Sequence, residues 1–193
     1  MTRSQSCKSR SHHIRPLPRL LAVLVAALVV ALPVLVAAPA QAHGPYCGLR
    51  WGSLPESSLV GSTGQVVDVR AGRHTCFDRL VLDVAGGDVG YSVRYVDQLV
   101  RDGSGEPVPL RGGARLEVVA TAPAAATDAW FLPNGELLDA SRYRTFRHLA
   151  WAGSFEGQST VGLGVRARLP FRVFVLDGPG DGSRLVVDVA HRW

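Results

Sequence analysis

The chain has 193 residues, 47% of them hydrophobic and 19% charged, with 21 Lys+Arg against 16 Asp+Glu and a formal net charge of +5. Five of the basic groups (Arg3, Lys8, Arg10, Arg15 and Arg19) lie in the first 42 residues, which hold no acid; the remainder balances sixteen arginines, and no lysine, against sixteen carboxylates. That neutral remainder of about 150 residues argues against a nucleic-acid partner, disorder or a coiled coil, and leaves room for one domain with its own core.

The N-terminus carries a basic stretch, an apolar run from Leu20 to Ala38 interrupted by Pro33, and the ending Pro39-Ala40-Gln41-Ala42. This order of n-region, h-region and A-x-A site predicts a secretory signal peptide over residues 1–42, cleaved after Ala42. Were it retained, the run is long enough to span a bilayer, and that anchor is the only membrane contact expected. An N-terminal arm (43–64) and a β domain (65–193) follow. The expected location is secreted or extracytoplasmic, at the cell envelope.

Cys7 leaves with the signal, so Cys47 and Cys76 remain as an even pair in an oxidising compartment. A disulfide tying the arm to the first core strands is the economical reading, worth roughly 3–4 kcal/mol for a loop of about 30 residues. The rival is a metal or thiol site built on His74-Thr75-Cys76. Zinc needs three or four ligands, and no second pair has ligand spacing. No metal and no cofactor is expected.

From Gln65 onward the chain reads as short strands divided by Gly/Pro turns. Val67 and Val69 lie in the first run. Leu80, Leu82 and Val84 alternate with Arg79, Val81 and Asp83, and Tyr91, Val93 and Tyr95 alternate with Ser92 and Arg94. Leu116, Val118 and Ala120 follow, then Val161, Leu163 and Val165, then Phe171, Val173 and Val175, then Leu185, Val187 and Val189. The expected fold is all-β, two packed antiparallel sheets in a sandwich, with an irregular or short helical insertion around 122–150. An internal echo supports pairing within it: DRLVLDVA (78–85) against SRLVVDVA (183–190). Arg79 and Asp83 share a strand face but lie about 13 Å apart, so they should pair across strands, with Asp188 and Arg184 if the copies are neighbours.

The blocks GRHTCFDRLVLDV (72–84), GYSVRYVDQLVRDGSG (90–105), AGSFEGQSTVGLGVRARLPFRVFVL (152–176) and SRLVVDVAH (183–191) resemble, in order, the AMIN-like domain of actinobacterial exported proteins. The resemblance spans roughly residues 46–193. It is similar to the AMIN domain that precedes the catalytic part of some N-acetylmuramoyl-L-alanine amidases. What it implies is two stacked β-sheets and a non-catalytic, targeting role at peptidoglycan. No amidase sequence follows the matching blocks here.

Catalytic signatures are weak. Ser104 and Ser154 lack the Gly-x-Ser-x-Gly spacing of a nucleophile elbow and read as turn residues. His74, His148, Glu156 and His191 are too dispersed in sequence to mark a zinc hydrolase. Asp83 and Asp188 each have an arginine nearby, which favours ion pairing over paired-carboxylate chemistry.

The expectation is therefore a non-catalytic module that associates with peptidoglycan or an envelope protein. The alternatives are a small extracytoplasmic hydrolase acting on wall fragments, or an accessory or inhibitor of an exported enzyme. Candidate ligand-binding residues are Arg79, Arg94, Arg172 and Arg184, read as outward-pointing, beside Tyr91 and Trp151, together with Glu156. Arginine donates bidentately to carboxylates, and aromatic rings stack on sugar faces. Glu156 is also read as a partner for Arg166 or Arg168.

Overall fold

The structure, a computed structural model, describes residues 46–124, 136–178 and 180–193. The signal segment, and residues 125–135 of the anticipated insertion, lie outside the described residues.

Eleven strands are described: β1 (Glu56–Ser58), β2 (Gln65–Arg73), β3 (Phe77–Ala85), β4 (Tyr91–Val96), β5 (Leu99–Val100), β6 (Pro107–Val108), β7 (Ala114–Ala120), β8 (Phe146–Phe155), β9 (Gln158–Val165), β10 (Phe171–Asp177) and β11 (Ser183–Ala190). They form two antiparallel sheets. Sheet one has the order β1-β4-β7-β9-β8, sheet two has β10-β11-β3-β2, and β5 with β6 makes a small ribbon. The alternating residues meet between the layers. Leu80, Leu82, Val93, Leu116, Val118, Val161, Leu163, Phe171, Leu185 and Val187 are all fully buried in one core.

Two departures from strict alternation have the same cause. In β2 the register shifts between Val66 and Asp68, so Val66 and Val69 are buried while Val67 is left exposed on the strand. In β8 the register shifts twice, between Phe146 and His148 and between Trp151 and Gly153. Each bulge adds a residue to one side of the ladder and resets the inward face. The buried positions of β8 fall at Phe146 and Leu149, in the core between the sheets, and at Ala152, covered on the outer face by β5 and β6, a spacing of three that no strand template matches. The segment around 122–150 is irregular where it is described, as expected, except that β8 already begins inside it at Phe146. Its described part holds one 3₁₀ turn, Ala140–Arg142, capped by Asp139, and then the start of this ten-residue strand.

The two copies of the internal echo are β3 and β11, paired antiparallel with Arg184 opposite Asp83 and Asp188 opposite Arg79. One of the two expected ion pairs forms, Arg79 with Asp188. In the other, Arg70 of β2 takes Asp83 at 2.5 Å, and Arg184 donates instead to the backbone carbonyl of Asp177.

The Cys47–Cys76 disulfide is present, with a Cα–Cα distance of 6.2 Å. It ties the start of the arm to the β2–β3 turn of sheet two. Gly52 then bridges Phe171 of β10, Glu56 accepts a hydrogen bond from the Val173 amide, and β1 completes the edge of sheet one. The arm thus crosses from one layer to the other.

Candidate functional site

On the outer face of sheet two, neighbouring strands place Arg172, Asp188 and Arg79 in one row. Asp188 is completely buried although it points away from the core. Arg79 donates to both of its carboxylate oxygens at 2.6 and 2.9 Å, and Arg172 Nε donates to Oδ2 at 2.9 Å. Those bonds raise the Arg79 guanidinium above its ordinary pKa, against the smaller opposing effect of burial. Two guanidiniums share one carboxylate, so the cluster keeps one net positive charge.

Aromatic rings wall this row. Arg172 lies 4.5 Å from the Trp51 ring and 4.9 Å from the Phe174 ring, and Arg79 lies 5.3 Å from Phe77 and 5.5 Å from Phe174. Trp51 packs on Phe77 at 5.5 Å, and His74 stacks on the same ring at 4.5 Å. Strand periodicity explains the grouping: Phe77 and Arg79 are two apart on β3, and Arg172 and Phe174 two apart on β10, so each pair shares a face. Trp51 arrives from the arm through the Gly52–Phe171 bridge. The guanidiniums are fixed by Asp188 and flanked by rings. Such a surface can offer N–H groups to a carboxylate or sugar hydroxyl while the rings take an apolar sugar face. The side chain of Arg172 is 42% exposed, enough to reach a ligand.

The remaining candidates do not join this cluster. Arg184 is on the same face but four residues away along β11 from Asp188, and donates to the Asp177 carbonyl. Arg94 lies on sheet one, paired with Glu117 at 2.7 Å. Tyr91 and Trp151 also belong to sheet one and are partly buried against the core, so the expectation of a single outward surface holding all of them is corrected. Burial raises the Tyr91 phenol, with a smaller contribution from Glu56. Glu156 sits in the tight turn between β8 and β9 with φ of 48°, exposed at the tip. Arg166 and Arg168 do not reach it: Arg166 donates to the His191 carbonyl and Arg168 to Ser53. Sequence reasoning missed Trp51, Phe77 and Phe174. The two phenylalanines were legible as i, i+2 partners of Arg79 and Arg172, but Trp51 was not, because its place depends on a bridge spanning 119 residues.

The catalytic candidates are spread through the molecule. Ser154 bonds the Gln158 carbonyl in the β8–β9 hairpin, and Ser104 lies in the β5–β6 turn. His74 lies in the turn between β2 and β3. His148 is on β8, where burial, then Arg111, pushes its imidazole below the ordinary value. His191 is buried against Asp78. Among the described residues, no three His, Cys, Asp or Glu side chains group as metal ligands.

The class defined by this architecture is a two-layer antiparallel sandwich with a disulfide-tied arm and an arginine–aromatic face. The AMIN-like domain family matches residues 64–191, and the chain belongs to that family. No curated protein and no solved structure matches it significantly.

Proposed function

We propose that this protein is an exported, non-catalytic binding module of the cell envelope that holds peptidoglycan on the outer face of sheet two. The observation that carries the reading is the fixed Arg172–Asp188–Arg79 row walled by Trp51, Phe77 and Phe174. Glycan strands bearing free carboxylates present the two chemistries this face answers, sugar faces for the rings and oxyanions for the guanidiniums. Membership of the AMIN-like family supports a wall-associated role, and the disulfide fits a compartment outside the cytoplasm. Residues 1–42 are the export signal in this reading.

The test is sedimentation of the purified protein with purified peptidoglycan. Retention at low salt that falls as salt rises is expected, because a charged contact is screened. Protein left in the supernatant at low salt would sink the reading, and an envelope protein partner would take its place.

A further inference from the structure

A second basic site lies where β9 and β11 end. Arg166 follows β9, His191 and Arg192 follow β11, Arg144 precedes β8, and Tyr46 closes one side from the N-terminal turn. Together they line a cleft of about 620 Å³, within the range of small-ligand sites.

Three features of this cleft set it apart. First, Arg144, Arg166 and Arg192 line one cleft and make no ion pair among the described residues, so three guanidiniums share it without a paired carboxylate. Second, Asp78, the acid that meets His191, is turned inward. Asp78 Oδ2 accepts the amides of Thr145 at 2.5 Å and Phe146 at 3.2 Å, and Oδ1 faces His191 Nε2 at 3.1 Å. Third, His191 is 4% exposed and its Nδ1 is buried with no partner. Donation of Nε2–H to Asp78 leaves Nδ1 as an acceptor that lacks a donor, a cost a ligand N–H would remove.

The cleft is also held in shape. Arg166 donates to the His191 carbonyl, the His191 amide donates to Cys76, and the disulfide fixes Tyr46 beside Cys47, with Arg192 5.8 Å from its ring.

We propose that this cleft binds the free carboxylate end of a peptide, with the oxyanion on Arg144, Arg166 and Arg192 and the peptide's own terminal amide N–H answering His191 Nδ1. A bare phosphate satisfies the guanidiniums but brings no such donor. The site is separate from the sheet-two face, so it stands or falls independently of wall retention.

The experiment is calorimetric titration of the purified protein with N-acetyl-alanyl-alanine, its C-terminal amide and inorganic phosphate, alongside the variant Arg144→Gln/Arg192→Gln. These two side chains hold no ion pair, so the fold should be unaffected, and an unchanged circular dichroism spectrum checks it. The acid is expected to bind at least tenfold more tightly than the amide or phosphate, with a shift of the His191 Nδ1 resonance on binding. The double variant should lose at least tenfold in affinity for the acid while keeping its retention on peptidoglycan. Equal binding of acid and amide, equal binding of phosphate, no measurable binding of the acid, or an unaffected double variant would each overturn the assignment.

Discussion

The two outer faces of this sandwich are built on opposite plans. Sheet one is floored with small residues. At Gly162 a Cβ would come within 2.0 Å of Leu99 Cδ2, and at Gly164 within 2.0 Å of the Arg111 carbonyl. These gaps let the β5–β6 ribbon lie flat on the sheet, where Leu99, Val108 and Leu110 pack with Ala152 into a second small core. Sheet two instead carries arginine and aromatic side chains at the equivalent outward positions. Among the described residues, the arm with Trp51 edges that face and leaves Arg172 reachable. One face has been spent on stability by the chain itself, and the other keeps polar and aromatic groups in fixed geometry. That contrast is why the recognition surface is assigned to sheet two.

The disulfide offers the largest way to break the contrast. Reduction, or Cys47→Ser, should cost about 3–4 kcal/mol for a loop of this length, read as a lower denaturant midpoint. Hydrogen exchange should then quicken first along the arm and at β10, while the β5–β6 ribbon stays protected. Uniform loss of protection would show that the arm is not a separate support of the sheet-two face.

Asp188→Ala comes next. It leaves two guanidiniums facing each other without their shared carboxylate, and breaking a largely buried pair of this kind costs about 3 kcal/mol. Asp83→Ala removes a carboxylate that is 21% exposed and paired with the half-exposed Arg70, so its cost should stay near 1 kcal/mol or below. Equal costs would mean the Asp188 row has no special status.

On the covered face, Gly164→Ala should cost about 2 kcal/mol, because the contact is with backbone and cannot swing aside. Peptidoglycan retention should be unaltered by it.

The smallest effect concerns Asp102, in the turn of the β5–β6 ribbon. Burial raises its carboxyl above the ordinary value, with an opposing hydrogen bond to Thr160, and one of its oxygens is buried without a partner. A raised folded-state pKa penalises the charged form, so this group lowers stability above that pKa and ceases to do so below the unfolded value. Asp102→Asn should therefore stabilise slightly at pH 7, and the gain should vanish near pH 3. A gain that persists at low pH would assign the effect to something other than charge burial.

Much of the scaffold was legible because the strand signal is local. β3, β4, β7, β9, β10 and β11 declare themselves through residues two apart, and the repeated RLVxDV string announced the β3–β11 pairing and with it the Arg79–Asp188 bond. β8 was hidden by its bulges, the first of which puts Phe146 and Leu149 on the inward face three apart, and by the ribbon, which buries Ala152 on the outer one. The sites were less legible than the strands. Half of the sheet-two cluster follows from i, i+2 spacing, but Trp51 depends on the path of the arm. The cleft of Arg144, Arg166 and Arg192 joins three chain segments whose meeting no local pattern encodes.

The central claim is that, of the two sheet faces, peptidoglycan retention belongs to sheet two alone. The most direct measurement compares peptidoglycan retention of two double variants, Trp51→Ala/Arg172→Gln on sheet two and Arg94→Gln/Glu117→Gln on sheet one. The first keeps the Arg79–Asp188 bond, and the second neutralises both members of a pair at the surface. The account predicts at least a tenfold loss of retention for the first and wild-type retention for the second. Equal retention by both, or loss confined to the sheet-one variant, would contradict it.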